Sequence, residues 1–407
     1  MKTIGIIAEY NPFHLGHAWH IEESKRVVGG ECAVVCVMSG NYVQRGDVAV
    51  FAKHTRALAA LSSGADLVIE LPVPYSLCSA EGFARAGVYL LDRLGICDYI
   101  SFGSESGDAA LLKTAAEIIT SEDARTLIKS FLGEGLPYAS ALQKTADSLM
   151  GDDSGVFESP NNLLGIEYMK ALSAFGSPLE PITVTRLGGA HDGSEGYSAT
   201  AVRQMLARGK EPRGLMPETA FDVCKNDIAA GRGPVFLKSL EPAILSRLRC
   251  MNDFSNIQGV SEGIERRFLK YAKTEAGIED ILKKVKCKRY PLSRIRRLLL
   301  CACLAITTDM SAAPPPYIRI LAMNRKGMEL MKKAKDCAGL PIITKPVSSQ
   351  KLPERAAAVF RAESAATDLY VLGFQNETKR RGGQEWTQSP VCLTVGVGGG
   401  GLLCRNL

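Results

Sequence analysis

Short apolar runs, each cut off by a turn and followed by a helical pattern, constrain this 407-residue chain more than any other feature. Thr3-Ile4-Gly5-Ile6-Ile7-Ala8 leads into Glu9-Tyr10-Asn11-Pro12-Phe13-His14-Leu15-Gly16-His17 and then a helical pattern from Ala18 to Val28. Glu31 to Met38 stops at Ser39-Gly40-Asn41, and a helix is predicted over Thr55 to Ser63. Asp66 to Leu71 ends at Pro72 and Pro74, before a helix over Ala80 to Leu94 with Gly95 as its C-cap. Asp98 to Gly103 is the next strand. Strands this apolar, alternating with helices, predict a parallel sheet covered on both faces. Ligands on such sheets bind at the carboxyl ends of the strands. His14, Gly40 and Gly103 fall at those ends and are expected to line one crevice.

At the first strand end two histidines flank a glycine. Backbone N–H groups and the helix dipole at a new helix N-terminus attract anions, and each imidazole adds a donor. A phosphate site is therefore expected, with Gly16 allowing close approach to the backbone. Two other readings stand beside it: ordinary turn chemistry, and a metal site using His14, His17 and His20. A zinc ion would want a further acidic or thiolate ligand, and Glu9 sits before the turn.

Composition narrows the setting. Hydrophobic residues make up 46% and charged residues 23%, ordinary values for a globular protein. No apolar run is long enough to span a membrane, and the start enters a strand without a secretory signal, so a cytoplasmic protein away from membranes is expected. The 12 cysteines are scattered without a CxxC pair and are expected to be reduced, mostly buried thiols. The net charge of +6 matters only through its distribution.

Residues 108–180 read as mostly helical and include Ser159-Pro160-Asn161-Asn162. Pro181 to Leu187 is one more strand. Ser198-Ala199-Thr200-Ala201-Val202-Arg203 opens a helix with Ser198 as N-cap. Alone, that segment reads as a routine cap with a surface arginine. Paired with the first turn it supplies a second anion cradle, because Arg203 can hold two oxygens of a triphosphate. From Met216 onward helices dominate, and Gly398 to Gly401 suggests a mobile tail.

The N-P-F-H-L-G-H and S-A-T-A-V-R segments resemble the paired signatures of the HIGH-type nucleotidyltransferase superfamily, related to class I aminoacyl-tRNA synthetases. Several further segments narrow the resemblance to the tRNA(Met) cytidine acetate ligase family. They are Ser39-Gly40-Asn41-Tyr42-Val43-Gln44-Arg45-Gly46-Asp47, Asp66 to Pro72, Phe102-Gly103-Ser104-Glu105, Ser159 to Asn162, Lys288-Arg289-Tyr290, Ser293 to Arg297 and Thr367 to Tyr370. The resemblance runs to about Val391 and does not include the tail. It implies a Rossmann-like catalytic domain over 1–215 and a mostly α-helical, basic tRNA-binding domain over 216–391, and residues 392–407 are read as a tail outside it.

The implied reaction joins ATP and acetate to acetyl-adenylate, whose acyl group passes to N4 of the wobble cytidine of elongator tRNA(Met). His14, His17 and Arg203 would be catalytic, with Ser198, Thr200 and Arg203 at the β/γ phosphates. By family analogy ATP contacts run over Ile7, Ala8, Glu9, Tyr10, Asn11, Pro12, Phe13, His14, Leu15, Gly16, His17, Ala18, Trp19 and His20. They also include Gly103, the Asn161/Asn162 pair and Arg186. Either asparagine has a helix N-cap as its rival role, and Arg186 a structural ion pair. Mg²⁺ is expected with ATP, bridging phosphates and water rather than held by protein side chains.

Asn41, Gln44, Arg45, Asp47 and Lys53 follow the second strand and either shape the acetate pocket, meet RNA or pack the loop. Lys283 to Arg297 holds eight Lys/Arg and no acid. A helix capped by Ser293 would bury Ile295, Leu298, Leu299 and Ala302 and turn Arg294 and Arg297 outward. Lys288, Arg289, Arg294 and Arg297 are the RNA-binding candidates, with Arg319, Asn324, Arg325, Lys326 and Lys379-Arg380-Arg381 extending the track. Two other functions stay open: a small-molecule adenylyl- or cytidylyltransferase, and a nucleotide-sensing RNA-binding protein without chemistry.

Overall fold

The computed structural model describes residues 1–185, 197–261, 263–287, 290–395 and 402–406. Its first half runs β1 (Lys2–Ala8), α1 (Leu15–Val28), β2 (Cys32–Ser39), a hairpin of β3 (Tyr42–Val43) and β4 (Asp47–Val48), α2 (Lys53–Leu61), β5 (Leu67–Leu71), α3 (Val73–Ser76), α4 (Ala80–Leu94) and β6 (Tyr99–Ser104). There follow α5 (Ala109–Thr120), α6 (Glu122–Gly133), α7 (Tyr138–Met150), α8 (Pro160–Phe175), β7 (Glu180–Thr185), α9 (Ala199–Ala207) and α10 (Glu218–Ala229). The remainder comprises α11 (Glu241–Cys250), α12 (Ile264–Thr274), α13 (Ile278–Val285), α14 (Leu292–Cys303), β8 (Ile318–Met323), α15 (Arg325–Cys337), β9 (Ile342–Ile343), α16 (Glu354–Tyr370), α17 (Gln384–Thr387), β10 (Val391–Val395) and β11 (Leu402–Asn406).

The main sheet has nine strands in the order β11-β10-β8-β5-β2-β1-β6-β7, with β9 beside β8. β1 lies parallel to both β2 and β6, β2 to β5, and β6 to β7. This is the expected parallel sheet, and alternation along β2 shows its two covered faces. Ala33, Val35 and Val37 enter one apolar cluster, while Cys32, Val34, Cys36 and Met38 enter another. Helix α4 matches its predicted bounds, with Gly95 in the left-handed conformation at φ 72°.

The C-terminal half is mostly helical, yet it also completes the sheet. β8 packs antiparallel against β5. The expected division at 215/216 therefore does not coincide with an edge of the sheet. Arg319 interrupts the apolar run of β8 and hides its strand signal. A third apolar cluster, built from α11 to α14 and α16, takes in Tyr42 and Val48 of the hairpin. The expected tail beginning at 392 is corrected in part: residues 391–395 and 402–406 pair as antiparallel strands, and β10 joins β8. The residues Gly398 to Gly401 lie outside the described residues.

Candidate active site

The cleft opens where the chain leaves β1. Arg56, missed by the sequence reading, holds this corner: its Nε donates to Phe51 O at 2.9 Å, Nη1 to Glu9 O at 2.5 Å and Nη2 to Ser39 O at 3.0 Å. Full burial lowers its guanidinium to about 10. A single arginine among the small apolar residues Ala57, Ala59 and Ala60 of α2 was the available signal. Asn11 bonds like a strand, its Oδ1 accepting Val50 N–H at 2.8 Å.

His14 is the N-cap of α1, an unusual use of imidazole. Its Nδ1 accepts Gly16 N–H at 3.0 Å, while His17 Nδ1 accepts His14 N–H at 3.2 Å. This is a capping box in which two rings replace the customary hydroxyl and carboxylate. With Nδ1 accepting, each neutral ring carries its proton on Nε2 and is a donor. A donor Nε2–H suits phosphate and disfavours the zinc alternative. The rings stack at 3.7 Å between centroids, and Tyr10 and Phe13 support His17 at 4.8 and 5.4 Å. A Cβ on Gly16 would stand 2.9 Å from His14 Cε1 and 3.5 Å from Tyr197 O, so glycine first makes room for the ring.

The second anion element meets the first here. Ser198 caps α9 as expected, accepting Ala201 N–H at 3.2 Å. Arg203 donates through Nη1 to Asn11 O at 2.7 Å and through Nη2 to Thr200 Oγ1 at 3.0 Å. Desolvation lowers its pKa, opposed by Asp47 and Glu9. Neither α1 nor α9 has an acidic residue in its first turn, so both dipole ends keep their positive character.

The resulting cleft holds about 470 Å³. Of the expected ATP residues, Ile7, Ala8, Glu9, Tyr10, Asn11, His14, Gly16, His17, Trp19, His20, Gly103, Asn161, Ser198, Thr200 and Arg203 line it. Pro12, Phe13, Leu15, Ala18 and Asn162 are not on its wall; Phe13 is fully buried in the core. Arg186 lies outside the described residues. His20 Nε2 shares a hydrogen bond with Ser101 Oγ at 2.9 Å. Among the described residues no group of three or more His, Cys, Asp or Glu side chains could hold a metal ion.

The two asparagines separate. Asn162 is 3% exposed, and its Oδ1 accepts from Ser104 Oγ at 2.7 Å and from the Glu105 and Ser106 N–H groups at 3.0 and 3.3 Å. It builds the loop after β6. Asn161 stands at the cleft and donates to Glu105 Oε1. Neither caps α8, whose N-cap is Ser159.

The loop after β2 also divides. Gln44 and Arg45 line the cleft. Asn41 and Lys53 are 1% exposed and belong to a buried cluster. Lys53 Nζ meets Glu70 at 2.6 Å, Glu363 at 2.9 Å and Glu385 at 2.8 Å. Arg319 pairs with Glu385 in the same cluster and is only 2% exposed, so it leaves the proposed RNA track. Asn324 leaves it too, as the N-cap of α15.

On the basic side, α14 begins after Pro291 rather than at a Ser293 cap, and Ile295, Leu298, Leu299 and Ala302 are buried as expected. Arg294 lies over the Tyr290 ring at 5.3 Å. Arg297 is half-buried and its Nη1 donates to Gln44 O at 3.3 Å, so it faces the cleft loop rather than open solvent. Lys288 and Arg289 lie outside the described residues. No helix among the described residues is long and apolar enough to cross a membrane.

The family model described as HIGH Nucleotidyl Transferase matches residues 1–385. A tRNA(Met) cytidine acetate ligase of Acetivibrio thermocellus is 38% identical, covering 97% of this chain and 100% of that protein. One from Caldanaerobacter subterraneus subsp. tengcongensis is 40% identical over 92% of this chain and 96% of its own length. The crystal structure of Thermotoga maritima TmcAL bound with alpha-thio ATP matches with a TM-score of 0.91 at 33% identity, over 97% of this chain and 100% of that one.

Proposed function

This chain belongs to the HIGH nucleotidyltransferase family and, within it, to the tRNA(Met) cytidine acetate ligases, and we propose that it activates acetate with ATP and acetylates the wobble cytidine of elongator tRNA(Met). Acetate attacks the α-phosphorus of ATP, acetyl-adenylate forms and diphosphate leaves. The exocyclic N4 amine of cytidine 34 then takes the acetyl group, giving N4-acetylcytidine and AMP. Acetate and tRNA(Met) come from the names of the relatives; an ATP analogue bound to the Thermotoga protein supports ATP here. A tRNA substrate supports a cytoplasmic setting for the reaction.

The observation that carries this reading is the meeting of two acid-free helix starts, each with its own donors, in one cleft. Adenylation needs positioning and charge stabilisation more than covalent catalysis. His14 and His17 donate to the phosphates, His17 at the reacting centre. Ser198, Thr200 and Arg203 hold the β/γ end, and Asn161 rather than Asn162 faces the nucleoside. Mg²⁺ would come with ATP and supply neutralisation of phosphate charge, since among the described residues no cluster of His, Cys, Asp or Glu would hold it. Arg294 and the exposed Lys283, Lys284 and Lys286 give the RNA a charged approach.

The test is incubation with ATP, labelled acetate and bulk tRNA. Label on N4 of cytidine 34 with matching AMP and diphosphate is expected. Label-free RNA with another nucleotide-transfer product would break the proposal in favour of a small-molecule nucleotidyltransferase.

A further inference from the structure

Glu9 is out of keeping with an anion site. Its cleft neighbours His14, His17 and Arg203 are donors or cations, whereas ATP and acetate bring only negative charge. A carboxylate on that wall repels both. Its Oε1 is spent, accepting the Gln44 backbone N–H at 2.7 Å. Its Oε2 accepts no hydrogen bond among the described residues, although Glu9 lines the cleft. Arg45 stands on the same wall, exposed, with no hydrogen bond or ion pair among the described residues. Burial raises the Glu9 carboxyl, and the Gln44 N–H with Arg45, Arg203 and Arg56 pulls it back. One backbone N–H rather than a locked salt bridge holds this carboxylate, which leaves Oε2 placed to accept a proton from a group in the cleft.

An acceptor beside a donor complements the edge of a cytosine, which offers its N4 amine beside ring acceptors. We propose that Glu9 serves the acceptor base rather than ATP: Oε2 accepts a hydrogen bond from the N4 amine of the target cytosine and takes its proton during transfer, while Arg45 donates to the acceptor atoms of the same edge. This rests on the reading that acetyl-adenylate forms in the cleft. The N4 lone pair forms the new C–N bond at the acetyl carbon. The bond from that carbon to the phosphate oxygen breaks, and AMP leaves with its electron pair. The amine proton passes to Glu9, which returns it to solvent.

Glu9→Gln keeps an oxygen for the Gln44 N–H and removes the base. Two rates are measured on the full chain: acetate-dependent exchange of labelled diphosphate into ATP, and transfer of labelled acetate to saturating tRNA(Met). The ratio of transfer to exchange is expected to fall roughly 10²–10⁴-fold, the usual reach of general base catalysis. Equal losses in both rates, or unchanged transfer, would overturn the proposal. If the unaltered protein shows no acetate-dependent exchange, the adenylate reading fails and takes this inference with it. Arg45→Ala is expected to raise the tRNA concentration needed for half-maximal transfer and leave exchange unchanged; lost exchange with unchanged tRNA demand counts against the paired reading.

Discussion

The cleft at the end of β1 and the charge cluster between β5, β8, α2 and α16 use the same residue types to opposite ends. In the cleft, polar groups are held at one edge by the fold and line an open wall: Glu9 by Gln44 N–H, His14 by Gly16 N–H, Arg203 by Asn11 O and Thr200 Oγ1. In the cluster, charges answer one another. Lys53 is surrounded by Glu70, Glu363 and Glu385, while Glu363 and Glu385 also accept from Val73 N–H and Thr367 Oγ1. A charged residue near a strand end thus serves chemistry only when its bonding capacity is not already consumed by the fold.

The largest effect that would break this comparison is on stability. Lys53→Met leaves the buried carboxylates with Arg319 as their cation and is expected to cost about 3–5 kcal/mol in a urea titration. ATP binding by the folded variant should be unchanged; lost ATP binding at full stability would erase the distinction. His17→Ala is the mirror experiment. It is expected to raise the barrier by about 2.7–4 kcal/mol, roughly 10²–10³-fold in acetate-dependent AMP formation, while loss of its capping bond costs only about 1 kcal/mol of stability. Full activity would show that the histidine pair is only a cap.

A subtler test uses pH. Burial, with the neighbouring Glu363, pushes the Glu70 carboxyl up to about 7 from its ordinary 4.5. The folded state then binds that proton more tightly than the unfolded chain, so this group's contribution falls as pH rises from about 4.5 to about 7. Glu363 is shifted the other way, chiefly by Lys53 against its burial, so its contribution is lost on acidification below the ordinary range. Glu70→Gln should flatten the first limb of the urea midpoint against pH and leave the cleft chemistry intact; an unchanged limb would count against the cluster. The smallest effect belongs to the basic helix: Arg294→Ala should reduce the slope of log tRNA affinity against log salt by about 1, whereas Lys53→Met should leave it alone.

Much of the first half was legible because its signals are local. The apolar runs of β1, β2 and β5 specify buried strands, Gly95 ends α4, and Ser198 starts α9. The cleft residues His14, His17 and Arg203 were legible for the same reason, since a helix start is written in a few neighbouring residues. The misassigned residues depend on distant partners. Lys53 looked like a loop cation because Glu363 and Glu385 lie 310 and 332 positions away. Asn162 looked like a nucleotide contact because the loop it holds lies 56 to 58 positions back. Arg319 made β8 look unlike a strand until Glu385 supplied its counter-charge.

The sequence by itself determined the strand–turn–helix alternation, the two helix starts and the family, because backbone propensity, capping and apolar periodicity act over a few residues. Only the tertiary structure decided which charges remain available to a ligand. That choice turns on desolvation and pairing, and both are set by groups the fold brings from hundreds of positions away. Among the described residues it left Glu9 with one bound oxygen and one unbonded on the cleft wall, and it closed Lys53 among three glutamates.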